Sequence, residues 1–231
     1  MKSRKNRHLF ALKLWVDRNF GNNNTILLLS FFIGVLGATA AIVIKNLLHF
    51  TTTLLSTAFP EAQLNYFYLA FPFVGIILTV LYVTFFVKDD INHGVSIVLN
   101  SIGNYNGKLR RHNIYTSMVA SSVTVGFGGS VGLEAPIVLT GSAIGSNFAR
   151  LFNLSHKNTI ILLACGSSAA MAAIFKAPVA SIVFAIEVLM LDLTSAAVVP
   201  LLISAATGTI LSLLFLGEGV MLTQAPTSPF N

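Results

Sequence analysis

Residues 112–149 run for 38 positions with one charged side chain, Glu134, and with glycine at 126, 128, 129, 132, 141 and 145. A helix crosses a hydrocarbon core of about 30 Å with about 20 apolar residues, so this stretch is far too long for one crossing. The glycines predict a break within it. At membrane depth a broken helix cannot face lipid, because its free N–H and C=O groups would have no partners. It must line a protected polar path. Helix N-termini left free by such breaks present unpaired amides and the positive end of the helix dipole, which together attract an anion without a cationic side chain. The pattern therefore points to an anion.

Composition agrees with a bilayer. Of 231 residues 55% are hydrophobic and only 10% charged, against about 25% charged in soluble domains. The net charge of +6 would suit nucleic acid in a soluble protein, but six of the fourteen basic residues (Lys2, Arg4, Lys5, Arg7, Lys13 and Arg18) precede the first long apolar segment. The basicity reads as topology, and no nucleic-acid partner is expected. Cys165 is the single cysteine, which excludes an internal disulfide, and no paired Cys/His clusters suggest zinc. No metal, cofactor or enzymatic chemistry is expected.

Residues 1–20 read as an amphipathic segment at the cytoplasmic membrane surface, with Trp15 at headgroup depth, and lack the cleavage pattern of a signal peptide. Residues 25–48, 66–87 and 193–216 are ordinary transmembrane candidates. Residues 159–175 are apolar, short and rich in Ala, Ser and Gly, and residues 179–191 are shorter still and carry Glu187, with Lys176-Ala177-Pro178 dividing the two. Small residues permit close helix approach, so both segments are expected inside the bundle. Lys108, Arg110 and Arg111, beside Asn104 and Asn106, read as a cytoplasmic loop. The fold class is all-α and polytopic, with about seven to nine helical segments, several short and tilted.

The segment Gly128-Gly129-Ser130-Val131-Gly132-Leu133-Glu134-Ala135-Pro136 concentrates the chemistry. Glycines permit a sharp turn that exposes amides, and Pro136 suits the first turn of a new helix. Glu134 then stands where an anion would bind. A helix N-terminus favours its ionised form and desolvation its protonated form. An acidic residue there can merely cap the helix; inside an apolar span it can also gate or carry a proton. The run Gly126-Phe127-Gly128-Gly129 is no nucleotide loop, because no Lys-Ser/Thr follows.

Residues 132–136, G-L-E-A-P, with Gly141 and Gly145 beyond, resemble the G-R-E-G-P-x-x-x-x-G-x-x-x-G segment of the CLC chloride channel and transporter family. Residues 172–187 resemble that family's A-x-x-F-x-A-P-x-x-G-x-x-F-x-x-E stretch. The likeness runs from about residue 25 onward and matches the N-terminal half of the family's membrane domain. It implies the first inverted repeat of the CLC fold, with a second repeat expected in a longer chain and residues 21–231 an incomplete transmembrane domain.

The resemblance implies further roles. Glu134 matches the family's gating glutamate, with Gly132, Leu133 and Ala135 at the outer anion site; Leu133 replaces the usual arginine and Ala135 the usual glycine. The family's G-S-G-I-P motif falls at residues 92–96, where Gly94 and the aliphatic Val95 agree and His93 stands in place of the anion-coordinating serine. Glu187 matches the glutamate of the F-x-x-E stretch, while Val188 occupies the place of the second, inner acid of many proton-coupled exchangers. Glu187 could serve as that inner acid, or accept backbone amides at a helix junction. The implied function is transport of chloride or similar small inorganic anions across the plasma membrane by a homodimer with one pore per subunit. Fluoride or other halide/proton antiport, and a non-conducting half-protein or regulatory membrane subunit, are the alternatives.

Overall fold

A computed structural model of the chain describes residues 5–58, 70–87, 94–189 and 195–217. Every regular element among these residues is helical. In chain order they are α1 (Lys5–Ala58), α2 (Phe71–Tyr82) continued by a π-helical turn (Val83–Val87), α3 (Gly94–Asn104), a 3₁₀ turn (Arg111–Ile114), α4 (Thr116–Gly126), α5 (Glu134–Leu151), α6 (His156–Phe175), α7 (Pro178–Val188) and α8 (Ser195–Leu216).

Among the described residues three helical segments are long and apolar enough to cross a membrane: Asn24–Leu55, His156–Phe175 and Ala197–Leu216. The first lies within α1, whose 54 residues reach about 80 Å at a rise of 1.5 Å per residue. The backbone is helical from Lys5 with no break near residue 20, so the N-terminal segment and the first span share one helix. The expected span at 66–87 is described only from residue 70, where helix occupies Phe71–Val87.

The stretch 112–149 divides as its glycines predict, into α4 and α5 with a turn between them. The second break also falls where the sequence places it. Lys176 ends α6 in the left-handed region (φ 53°), and Pro178 opens α7.

One expectation is corrected. Residues 159–175 read as a short segment apart from the ordinary transmembrane candidates, whereas α6 has 20 residues and is long enough to cross. Ser155 is its N-cap, with extended backbone and a side-chain oxygen accepting the Asn158 N–H at 3.4 Å. The polar first turn His156-Lys157-Asn158 conceals this start from a search for apolar residues.

The placement of α6 inside the bundle agrees with the sequence. It packs against α1, α5, α7 and α8, and its residues from Ile161 to Ile174 are buried. Lipid tails are as apolar as leucine, so helices in a membrane hold together by close packing and interhelical hydrogen bonds. Here α5 and α6 nearly touch along their backbones: a Cβ on Gly141 would strike the Gly166 carbonyl, and one on Gly166 the Gly141 carbonyl. On another side, Gly208 of α8 leaves no room for a Cβ against the Ala169 carbonyl, 2.5 Å away. The Ser212 hydroxyl donates to the Ala173 carbonyl and Thr209 Oγ1 reaches the Ala172 carbonyl at 3.5 Å, linking α8 to α6.

Overpacking a core commonly costs about 1–3 kcal/mol, and at Gly141 the obstacle is backbone, which cannot rotate aside. Gly141→Val is expected to lower the thermal midpoint sharply or prevent folding. A thiol-reactive dye reads this directly, since the one cysteine, Cys165, is fully buried in the folded chain.

Candidate functional site

The turn before α5 builds the site. Helix α4 ends as Phe127 N–H bonds the Val123 carbonyl at 3.0 Å and Gly128 N–H the Val125 carbonyl at 2.9 Å. Gly128 takes φ 84°, which side-chain-bearing residues rarely adopt. Gly129 N–H then bonds back to the Thr124 carbonyl at 2.9 Å, reversing the chain. Ser130, Val131 and Gly132 are exposed, and Glu134 begins the new helix.

No side chain caps this start: Leu133 is the N-cap and offers no acceptor. The first bond of α5 runs from Ile137 N–H to the Leu133 carbonyl at 3.1 Å. The amides of Glu134 and Ala135 precede it, and Pro136 has no amide, so the helix begins with donors that have no intrahelical acceptor. Glu134 is exposed beside them.

A second helix starts at the same place. Gly94, the first residue of α3, is buried against Ala135, and a Cβ there would come within 2.5 Å of the Ala135 carbonyl and 3.1 Å of Leu139 Cβ. Only glycine allows this approach. The other ends of the two helices are tied together as well. Ser146 of α5 donates to the Gly107 carbonyl at 2.5 Å and accepts from Leu109 N–H at 2.9 Å, and Arg150 Nη2 donates to the Leu109 carbonyl at 2.7 Å. Helices α3 and α5 therefore run parallel with their starts together. Each N-terminus carries roughly half a positive charge, and the two fields add where Glu134 stands.

A third start borders the site. Glu134 lines a cleft of about 380 Å³ with Met171 and Phe175 at the end of α6 and with Ala177, Ala180, Ser181 and Phe184 from the start and middle of α7. The wall is largely apolar. Its one hydroxyl, on Ser181, donates to the Pro178 carbonyl at 2.7 Å and lies 3.3 Å from Ser168 Oγ.

Among the residues picked out from the sequence, Gly94, Glu134 and Ala135 come together at the paired helix starts, with Gly132 and Leu133 in the approach. Leu133 and Val95 are partly buried and pack against the hydrophobic core. His93 lies outside the described residues. Glu187 is exposed in the last turn of α7, away from the Glu134 cleft. Met171, Phe175, Ser181 and Phe184 were not foreseen as site residues. Their signal is the Lys176-Ala177-Pro178 break, the same device as Gly128–Pro136, about forty positions further along. Among the described residues no three His, Cys, Asp or Glu side chains gather as a metal site would require.

Gly94→Ala is expected to lower the thermal midpoint, because the added methyl must part α3 from α5. Gly103→Ala, on the same helix with nothing within 4 Å, is expected to be neutral or stabilising by up to about 1 kcal/mol. Dye-monitored unfolding of the two variants beside the parent chain checks the contrast.

Comparison with known proteins accords with this geometry. The family model described as "voltage gated chloride channel" matches residues 73–231. A putative ClcB-like chloride channel protein of Ralstonia nicotianae is 30% identical over 132 residues, which are 55% of this chain and 31% of that protein. Chloride channel protein CLC-e of Arabidopsis thaliana is 41% identical over 73 residues, 32% of this chain and 10% of that one. Among solved structures, a CLC-type fluoride/proton antiporter superposes with TM-score 0.70 at 25% identity, covering 92% of this chain and 52% of that chain. A slow cyanobacterial Cl⁻/H⁺ antiporter superposes with TM-score 0.64 at 21% identity, covering 89% and 49%. The chain thus spans about half the length of the solved structures it matches and a smaller share of these two relatives.

Proposed function

Because the chain belongs to the voltage-gated chloride channel family, we propose that it serves the transmembrane movement of chloride or a similar small inorganic anion along a path past the start of α5, with Glu134 as the gate. The observation that carries this reading is the seating of Gly94 against Ala135, which brings two helix N-termini to one carboxylate. Backbone amides there replace part of the anion's water. A carboxylate and a free anion both suit a helix N-terminus, so the two compete for one place. Protonation removes the carboxylate's charge and leaves the place to the anion.

A second reading is halide/proton antiport, in which Glu134 itself carries the proton. The likeness to a CLC-type fluoride/proton antiporter supports it. Val188 stands where a second inner acid is usual in exchangers, next to Glu187, which is exposed in the last turn of α7.

The protein is an integral membrane protein of a channel and transporter family. We place it in the plasma membrane as a homodimer, with its N-terminus and the 108–111 loop cytoplasmic. The basic residues at both support that orientation under the positive-inside rule. The Glu134 approach is open on this chain: Val131 is half exposed, and Gly132 and Glu134 are exposed. Such backbone needs a protein or water-filled surround at membrane depth, so the pathway is expected to be completed by a further protein surface.

Three outcomes follow. Glu134→Gln is expected to abolish the pH dependence of anion flux in liposomes while leaving thermal stability within about 0.5 kcal/mol, as is usual for exposed positions; unchanged pH dependence would remove the gating role. With Cys165 replaced by Ser, a membrane-impermeant maleimide added outside intact cells is expected to miss both Ser3→Cys and Asn106→Cys, and strong external labelling of either would reverse the orientation. The purified 231-residue chain, reconstituted at a verified monomeric state, is expected to show no selective chloride flux. Observing such flux would mean that these helices close a pathway by themselves.

A further inference from the structure

The end of the α3–α5 pair opposite Glu134 also carries a cleft, of about 310 Å³, which shares no lining residue with the Glu134 cleft. It lies between the last turns of α3, the loop that follows, and the start of α4. Its polar side presents Asn100, Ser101 and Lys108, and its apolar side Val87, Ile97 and Leu139. Arg110 adds a second positive charge to the lining. Among the described residues no Asp or Glu lines this cleft.

Two features make this more than a basic surface. Ser101 is 4% exposed, and its hydroxyl has no hydrogen-bond partner. A buried polar group left unpaired is destabilising, so it marks a place where something else completes the bond. The loop that brings in Lys108 is also fixed in advance. The Ser101 carbonyl accepts from both Tyr105 and Gly107 N–H, at 3.1 and 2.8 Å, as the chain turns through left-handed Asn106 and Gly107. The next residues are held to α5 through Ser146 and Arg150. The backbone at Lys108 is thus latched on both sides, in a cleft that Ser101, with its unpaired buried hydroxyl, also lines.

We propose that this cleft binds a phosphate group, with the Lys108 ammonium and the Ser101 hydroxyl as donors. Phosphate accepts several charge-assisted hydrogen bonds at once, which suits a cleft lined by both a cation and a hydroxyl. The source is a lipid headgroup or free phosphate. The apolar side of the cleft and the exposed Phe85, Phe86 and Tyr105 nearby in the chain suit an interfacial setting, where aromatic rings gather at headgroup depth.

The test is calorimetric titration of the purified full chain in detergent with dihexanoyl phosphatidic acid, dihexanoyl phosphatidylcholine or inorganic phosphate. Saturable one-site binding of phosphatidic acid is expected, weakened about tenfold by Lys108→Gln and by Ser101→Ala, with phosphatidylcholine much weaker. Ser101→Ala removes an unpaired hydroxyl, so its ligand-free thermal midpoint should not fall, while the ligand-induced rise in that midpoint should shrink. Binding of phosphatidic acid alone identifies a lipid headgroup; equal binding of inorganic phosphate identifies free phosphate. The proposal is overturned if no probe saturates. It is equally overturned if Arg111→Gln, at an exposed residue outside the cleft, weakens binding as much as Lys108→Gln, because general charge then suffices. Loss of binding in Glu134→Gln would place the ligand at the other site and overturn it too, whereas failure of the anion-transport reading alone would leave this binding intact.

Discussion

The backbone contact between α5 and α6 at Gly141 and Gly166 is the constraint from which the other positions follow. In water a hydrophobic face would drive such packing, but in a bilayer helices gain by fitting closely and by sharing hydrogen bonds. The small residues of α6 allow α1, α5 and α8 to approach it. With α5 fixed along its middle, its first turn is fixed too. That turn carries Glu134 and leaves its amides unspent. The same contact sets the far wall, because α6 ends at the left-handed Lys176 and hands the chain to α7, whose first turn closes the cleft around Glu134.

The electrostatics depend on two helices sharing a direction. Parallel neighbours repel weakly along their lengths, yet they concentrate positive potential where their starts meet. In water that potential would be screened within about 8–10 Å; beside apolar walls such as Met171, Phe175 and Phe184 it reaches further. In the proposed reading Glu134 is the site's own anion. In that reading a carboxylate that leaves when protonated and returns when ionised links anion occupancy to pH, while Glu187 stands at the other end of α7.

How much of this was legible in the sequence follows from how local each cause is. The break in residues 112–149 could be read because glycines and Pro136 act through their own backbone, and the division at Lys176-Ala177-Pro178 for the same reason. The start of α6 was missed by three residues because a serine cap and a polar first turn carry no apolar signal. The resemblance put Gly94 and Ala135 each in an anion motif but did not give their contact, since a glycine forty positions away says nothing by itself about which carbonyl it must clear. The walls at Met171 and Phe184 look in the sequence like ordinary core residues. Their role comes from the angle at which α7 leaves α6, and that is set by packing.

The central claim is that the paired starts of α3 and α5 hold an anion. Anomalous diffraction from crystals of the protein grown in bromide tests it most directly, because bromide substitutes for chloride and its anomalous scattering distinguishes it from water and from the light atoms of the protein. The account predicts a bromide peak within hydrogen-bonding reach of the first amides of α5, beside Gly94, and higher occupancy there in Glu134→Gln, where the competing carboxylate charge is gone. Bromide bound elsewhere among the membrane helices, with no peak at this junction in either protein, would contradict it.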